Sequence, residues 1–348
     1  MKFVSRGFES VMKAREGDLL ETLDGNIFDV KGLVHPLDKI VAFIRFTPDP
    51  KGERKRGNVR YRKVYPLQER YALLRKKFPQ YLVFDPVFNQ WLCEVPTEMV
   101  KEHYEPSTCL SQLRRKSTLD TLRKHAVDFA RLLHTKAEVR WSALGVSGSL
   151  LVSLDTSKSD IDLVVYGSQN ARKIYNALKS LPLDATSGVK LYDKQDLRAL
   201  FGFRSKDTYM RFEDFVRTES RKVLQGKFQG RDYFIRCVKD WKEVTEAYGS
   251  IHYKPMGEAK ASATIADDSQ MLFTPCSYQI EDVKMISGKN LQPLREVVSF
   301  RGRFCEQARR GERIIARGMI ERLKDAGEPE YFRLILGNVP SDFMILAH

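Results

Sequence analysis

The sequence has few of the features that mark a secreted, membrane or metal-cluster protein. It has no run of about 18 apolar residues, which a membrane span requires, and its first residues lack the apolar core of a signal peptide. Five cysteines are present without any CxxC pair, which disfavours both a disulfide framework and a zinc cluster. We therefore expect a reduced, cytoplasmic protein with no membrane partner.

Several common catalytic motifs are also missing. The six histidines show no H-x-x-x-H or H-E-x-x-H spacing, so a histidine metal site is not expected. The chain has no G-x-S-x-G elbow, no Walker A motif and no G-x-G-x-x-G turn. Hydrolase, P-loop and Rossmann interpretations lose their main support.

Positive charge, in contrast, is abundant. The 348 residues include 59 Lys and Arg against 45 Asp and Glu, a formal net charge of +14. Such an excess favours anionic partners, nucleic acid first. The densest stretch is Lys51–Lys77, where eleven basic residues are interleaved with tyrosines. Phosphate contact combined with base stacking would explain this mixture, and a solvated loop leading into a helix would explain it equally well.

Pattern and turn signals divide the chain into three regions. Residues 1–106 alternate short apolar runs with turns, which predicts a β-rich region that carries most of the basic segment. Residues 107–248 read as helix, strand, turn, strand, helix, the order of a compact α/β or α+β core. Residues 249–348 contain short strands again and suggest a small barrel, for which an oligonucleotide-binding (OB) barrel is one interpretation.

The segment with the clearest chemistry lies in the central region. Gly148-Ser149 follows a predicted strand, and Asp160-Ile161-Asp162 opens an apolar strand ten residues later. Because strand side chains alternate, Asp160 and Asp162 are expected on one face, where paired carboxylates are suited to a divalent cation. A Gly-Ser turn at the start of a helix offers backbone N–H groups to phosphates. A Gly-Ser turn and an Asp-Ile-Asp strand are each common alone, but the two together at this spacing are not.

This combination resembles the signature of the DNA-polymerase-β superfamily of nucleotidyltransferases, and the whole chain is similar to uncharacterised archaeal predicted nucleotidyltransferases. The resemblance implies an α+β fold with a polymerase-β-like core flanked by two β-rich modules. It implies that Gly148 and Ser149 bind the nucleoside triphosphate and that Asp160 and Asp162 bind Mg²⁺ or Mn²⁺. The expected activity is transfer of a nucleoside monophosphate to an acceptor, with RNA or tRNA favoured by the charge.

Two departures from the superfamily pattern qualify this hypothesis. Leu150 and Ser153 replace an Arg and a Gly that often follow the Gly-Ser pair. The superfamily's third carboxylate, on a later strand, is harder to place, because Arg236 stands where an acid would be expected mid-strand. Asp232 on the same strand is our candidate for this catalytic residue, and Asp193 is the other one.

Six basic residues are predicted to contact the nucleic acid. Four belong to the basic segment and two to a Phe-Arg-Gly-Arg-Phe run that we place on the predicted strand Val297–Phe304: Arg56, Arg60, Arg62, Lys63, Arg301 and Arg303. Two alternatives to RNA nucleotidyl transfer stay open. One is a degenerate nucleotide- or RNA-binding protein on the same fold, and the other is an enzyme that modifies a protein or a small alcohol. The pattern does not predict the oligomeric state.

Overall fold

The computed structural model describes residues 12–325 and 329–347 of the chain. Helices and extensive β-sheet are combined in this part of the molecule, so the predicted α+β class is confirmed. No helix among these residues is long and apolar enough to cross a membrane.

The N-terminal region is a single antiparallel sheet with one helix. Its strands are β1 (Leu19–Thr22), β2 (Ile27–Val30), β3 (Lys39–Pro48), β4 (Arg54–Arg56), β5 (Val59–Lys63), β6 (Leu82–Asp85), β7 (Gln90–Pro96) and β8 (Val100–Tyr104), and its helix is α1 (Leu67–Lys77). The order is β4-β5-β3-β2-β1-β8, and the β6–β7 hairpin joins through β7 to the start of β3. Alternate residues of β3 are buried, as expected of a strand with one face on a core. The opposite face of β3 remains available to line a cavity.

The central region places helices around a five-stranded mixed sheet. Its helices are α2 (Pro106–Arg115), α3 (Thr121–Lys136), α4 (Gly148–Leu151), α5 (Ser168–Ser180), α6 (Lys194–Arg204) and α7 (Phe212–Glu219), and its strands are β9 (Leu144–Val146), β10 (Ile161–Tyr166), β11 (Val189–Lys190), β12 (Gln225–Phe228) and β13 (Arg231–Val238). The order is β11-β12-β13-β10-β9. Strand β10 is antiparallel to β9 and parallel to β13. The carboxylate strand therefore lies inside the sheet, between the strand that precedes the Gly-Ser turn and the strand that carries Arg236.

The C-terminal region closes into a barrel. Its strands are β14 (Ile251–Gln270), β15 (Cys276–Gly288), β16 (Leu294–Ser299), β17 (Arg313–Asp325), β18 (Tyr331–Leu336) and β19 (Phe343–Leu346). The sheet order is β14-β15-β16-β18-β17, and β14 also pairs with β17, so five strands form a ring with β19 beside β17. The β16–β18 pair is parallel and the other pairs are antiparallel. The prediction of a small barrel is thus supported by the strand pairing.

Some predicted boundaries are wrong. Strand β16 ends at Ser299, because the Ser299 hydroxyl accepts a hydrogen bond from the Arg301 N–H and donates one to the Leu336 carbonyl, which turns the chain away from the sheet. Arg301 and Arg303 therefore stand on a turn and not on a strand. The predicted strand Met271–Thr274 is likewise a turn, and β14 is one strand of 20 residues.

Buried apolar residues join the central region to the barrel. One hydrophobic cluster extends from α2 and α3 across the central sheet into the barrel and includes Leu110, Phe129, Ile235, Tyr278 and Leu346. The N-terminal sheet has its own core around Phe28, Ile44 and Tyr81. The boundaries at 106 and 248 stay predictions, since packing alone does not define where units fold independently.

Candidate functional site

A cavity of about 620 Å³ lies where the N-terminal sheet, the central sheet and the barrel meet. Residues of β3, β5 and α1 line one side, residues of β10 and β13 line another, and the turn after β16 lines a third. Ten Lys or Arg and seven Asp or Glu residues line it, together with many aromatic rings. This composition suits a ligand that carries both negative charge and a flat ring.

Asp160 and Asp162 both line this cavity, as the period-two argument predicts. Asp160 is exposed just before β10, and Asp162 is half-buried within it. Burial, and secondly the neighbouring Asp160, raise the pKa of Asp162 well above its ordinary value. A carboxylate whose charged form is disfavoured in this way is stabilised by a bound cation.

Gly148 allows this arrangement. It has a φ of +65°, a left-handed conformation that glycine adopts readily, and a Cβ at this position would overlap the Asp162 carboxylate. Gly148 and Asp162 line a second, much smaller cavity of about 30 Å³. The glycine is therefore needed because the carboxylate packs against the backbone.

Ser149 is placed differently from the expectation. Its side chain is buried, and its hydroxyl donates to the Ser159 hydroxyl at 3.1 Å. It lines neither of the two cavities. Helix α4, which the turn opens, has only four residues. The predicted role of Ser149 in triphosphate binding stays a prediction, with no open surface at the hydroxyl to support it.

The strand beside the carboxylates offers an arginine and a phenylalanine. In the parallel pairing of β10 with β13, Asp162 is opposite Phe234 and Val164 is opposite Arg236. Asp232 lies at the edge of the strand, lines the cavity, and has Lys227 at 3.6 Å with its own side chain 55% exposed. Among the described residues, no three His, Cys, Asp or Glu side chains form a group suited to a metal ion. Of the carboxylates that line the cavity, Asp160 and Asp162 are the two that alternate at the start of β10.

Two carboxylates nevertheless fit a magnesium site of the type that forms with a nucleotide. Mg²⁺ is usually bound by one or two carboxylates, with water and substrate phosphates completing its shell. Asp160 and Asp162 would hold the ion, and water or an anionic ligand in the same cavity would supply the remaining ligands.

The arginine at position 236, where the superfamily pattern would have an acid, is explained by its ion pairs. Its guanidinium contacts Glu16 at 2.5 Å and Asp29 at 3.4 Å, and Lys31 contacts the same two carboxylates. Glu16 is fully buried. Arg236 therefore joins the central sheet to the N-terminal region, which the sequence pattern alone did not reveal.

The six predicted nucleic-acid contacts separate into two groups. Lys63, Arg301 and Arg303 line the cavity. Arg56, Arg60 and Arg62 lie outside it on the β4–β5 hairpin. Arg56 is paired with Glu21 at 2.7 Å, and Arg62 is paired with Asp49 at 3.3 Å and with Glu69.

Arginines surround one tyrosine of the cavity. Burial raises the pKa of Tyr65, but the positive charge of four arginines has the larger effect, so the pKa falls below its ordinary value. These arginines are Arg303, Arg45, Arg204 and Arg301. Sequence analysis missed Arg45. For Arg45, the signal was its position on the face of β3 opposite the buried residues.

The fold and the site define an α+β protein with a carboxylate pair and a cluster of cations in one cavity. No protein-family model and no solved structure matches the chain. The chain is 30% identical over 340 residues, 95% of its own length and 98% of the relative's, to the uncharacterized protein MJ1086 of Methanocaldococcus jannaschii. It belongs to the same family as that protein.

Proposed function

We propose that the protein is a Mg²⁺-dependent nucleotidyltransferase that moves a nucleoside monophosphate from a nucleoside triphosphate to RNA. The observation that carries this proposal is the position of Asp160 and Asp162, which project from β10 into a cavity lined by cations and aromatic rings. The strand order β13-β10-β9 supports a polymerase-β-like core, because the Gly-Ser turn and the carboxylates come from neighbouring strands.

The reaction would form one phosphorus–oxygen bond and break one. The acceptor hydroxyl oxygen attacks the α-phosphorus, pyrophosphate leaves with the electrons of the broken bond, and the hydroxyl proton passes to a base. Mg²⁺, when bound, supplies positive charge to the phosphate oxygens. Asp160 and Asp162 would hold it, and the cationic side chains of the cavity would orient the triphosphate. Asp232 remains the candidate base, since it lines the cavity and is solvent-accessible.

The barrel supports a nucleic-acid acceptor. Its ring of five strands, closed by β14 with β17 and containing one parallel pair, has the arrangement of an OB barrel, a fold that binds oligonucleotides. Phe300 and Arg301, on the turn after β16, line the cavity. The barrel would thus contribute to the cavity at the place where an acceptor end enters.

An exposed aromatic surface near the cavity fits the same acceptor. Trp91 and Phe84 are 55% and 47% exposed, on adjacent strands, with ring centroids 5.9 Å apart. Gln90 and Leu92 line the cavity, so Trp91 between them projects from the opposite face of β7, and the Tyr71 hydroxyl donates to the Trp91 carbonyl. The Arg75 guanidinium lies 5.9 Å from the centre of the Tyr71 ring. Aromatic rings beside exposed cations are typical of single-stranded RNA binding.

The proposal is tested by incorporation of labelled nucleotide into RNA in the presence of Mg²⁺. The Asp160→Asn, Asp162→Asn double variant should lose at least about 100-fold in rate, as expected when transition-state charge stabilisation is removed. Trp91→Ala should lower incorporation into RNA by about 10-fold, the effect of losing one stacked base. Glu281→Gln, an exposed carboxylate of β15, should stay within about twofold of the parent and serves as the control.

Full activity in the double variant would refute the proposal. Asp232→Asn decides whether Asp232 is the base, since loss of a general base lowers the rate by about 100-fold or more.

The degenerate binding protein remains a second candidate on one observation. Phe234 occupies the position on β13 opposite Asp162, and no third carboxylate among the described residues forms a metal-binding group with Asp160 and Asp162. Triphosphate binding without turnover on RNA, protein or small-alcohol acceptors would favour this candidate. Transfer to a protein or a small alcohol but not to RNA would favour the third candidate function, an enzyme that modifies one of those acceptors.

A further inference from the structure

The Gly-Ser turn offers little room for a triphosphate. The small cavity at Gly148 holds about 30 Å³, and the Asp162 carboxylate occupies the space next to the glycine. Ser149 uses its hydroxyl on Ser159. The phosphates of a bound nucleotide would therefore need other partners within the large cavity.

Three cations of the N-terminal region form a basic wall in that cavity: Arg45 on β3, Lys63 at the end of β5, and Arg70 on α1. Arg45 and Lys63 lie 5.2 Å and 5.6 Å from the centre of the Tyr65 ring. Arg70 is 8% exposed, and its Nε donates to the Val64 carbonyl at 3.2 Å. None of the three forms an ion pair with a carboxylate in the described part of the chain.

These cations repel one another. Burial, and secondly Arg45, lower the pKa of Lys63 and lower that of Arg70 to about 10. A buried charge without a partner is unfavourable, and proteins usually pair it or bind a counterion. An anionic ligand bound at the basic wall would therefore reduce the electrostatic repulsion among these cations that is present in the ligand-free protein.

The basic wall faces the carboxylate pair. Arg45, Lys63 and the two carboxylates line the same cavity, and Arg45 also lines the small cavity beside Asp162. Arg236, the other cation near Asp162, is already paired with Glu16 and Asp29. Arg45 and Lys63 are therefore the cations available beside the carboxylates.

The cationic surface continues toward the barrel. Arg301 and Arg303 share the single carboxylate of Asp207, with Arg301 Nη2 at 2.7 Å from Asp207 Oδ2. Two guanidinium groups and one carboxylate leave a net positive charge at this end. Several cations in one cavity favour a ligand with several phosphates, because each phosphate can accept charge-assisted hydrogen bonds.

We propose that the basic wall binds the triphosphate of the nucleotide substrate, with the α-phosphate at Asp160 and Asp162 and the β- and γ-phosphates along Arg45, Lys63 and Arg70. The inference rests on the proposed function for the identity of the nucleotide. It reassigns Lys63 from acceptor binding to nucleotide binding. It also makes the N-terminal region part of the nucleotide site.

Isothermal titration with inorganic tripolyphosphate, without metal and at low ionic strength, tests the inference. The Arg45→Met, Lys63→Met double variant should bind tripolyphosphate about 100-fold more weakly than the parent, the loss of two charge-assisted contacts. Lys55→Met is the matched control, because Lys55 is an exposed cation of the neighbouring strand β4 and lies outside the cavity, and the affinity of this variant should stay within about twofold. Equal affinities in the double variant and the parent would overturn the inference.

Two further arms keep the test independent of folding and of catalysis. Lys63→Met alone, a smaller change, should still weaken binding by about 10-fold. A short RNA without terminal phosphates should bind the double variant as well as the parent; a loss confined to RNA would assign the basic wall to the acceptor and overturn the inference.

The Asp160→Asn, Asp162→Asn variant should retain tripolyphosphate binding. If no transfer activity is found but tripolyphosphate binding depends on Arg45 and Lys63, the proposed function fails and the polyphosphate site stands. If transfer occurs and the double variant of the basic wall binds tripolyphosphate normally, the function stands and the site fails.

Discussion

The basic segment Lys51–Lys77 contains two kinds of cation. On the β4–β5 hairpin, Arg56 and Arg62 are paired with carboxylates. A few residues further on, Lys63 and Arg70 line the cavity and form no ion pair with a carboxylate of residues 12–325 or 329–347. The first kind is compensated within the protein, and the second kind leaves charge available to a ligand.

The difference teaches that the density of charge in a sequence does not locate a binding site. Arg56 contacts Glu21, which is brought to it by β1, 35 residues away along the chain. Lys63 has equally basic neighbours, but the fold places it opposite Asp160 and Asp162 across an open cavity. Compensation by distant carboxylates, which only the fold reveals, separates structural from ligand-binding cations.

The paired cations and the cavity cations should differ most in how much they contribute to the free energy of unfolding. Arg56→Met removes one of three partners of Glu21, whose side chain is 4% exposed and which also contacts Tyr104 and Lys101, and should lower the free energy of unfolding by about 2 kcal/mol. Lys63→Met removes a cation whose pKa burial already lowers, so the free energy of unfolding should be unchanged or slightly higher. Urea denaturation of both variants in phosphate-free buffer measures this. A loss in Lys63→Met as large as that in Arg56→Met would contradict the comparison.

A smaller effect is expected on the titration of Tyr65. Its pKa lies below the ordinary value of 10.0 because four arginines outweigh the effect of burial. Tripolyphosphate bound near Arg45 would screen these arginines and should raise the pKa, so fewer Tyr65 side chains are ionised at a given alkaline pH. The ultraviolet absorbance of the phenolate, taken as the difference between parent and Tyr65→Phe, reports this with and without ligand. An unchanged or lower Tyr65 pKa in the bound state would place the ligand elsewhere.

Local sequence patterns predicted much of the fold. The Asp24-Gly25 turn between Leu19–Thr22 and Ile27–Val30 gave the bounds of β1 and β2, because a two-strand hairpin is a short-range signal. Apolar periodicity over Ser107–His134 predicts one long helix or two short ones, and the structure has two, α2 and α3. The pattern of Tyr209–Leu224 also predicts a helix, and in the structure this helix, α7, is shorter at both ends, Phe212–Glu219.

The candidate site was predictable only in part. Asp160 and Asp162 face one cavity because side chains two residues apart on a strand lie on the same side, which the sequence alone predicts. The partners of Arg236 were not predictable, because Glu16 and Asp29 lie more than 200 residues away. The role of Ser149 was predicted from the Gly-Ser motif, and the motif does not show that the Ser149 hydroxyl donates a hydrogen bond to Ser159.

The most direct test of the central claim is a crystal structure with Mg²⁺ and a non-hydrolysable nucleoside triphosphate analogue. The account predicts a metal ion on Asp160 and Asp162, with the β- and γ-phosphates in contact with Arg45 and Lys63. A triphosphate held at Ser149 and away from β3 and β5, or a nucleotide bound outside this cavity, would contradict it.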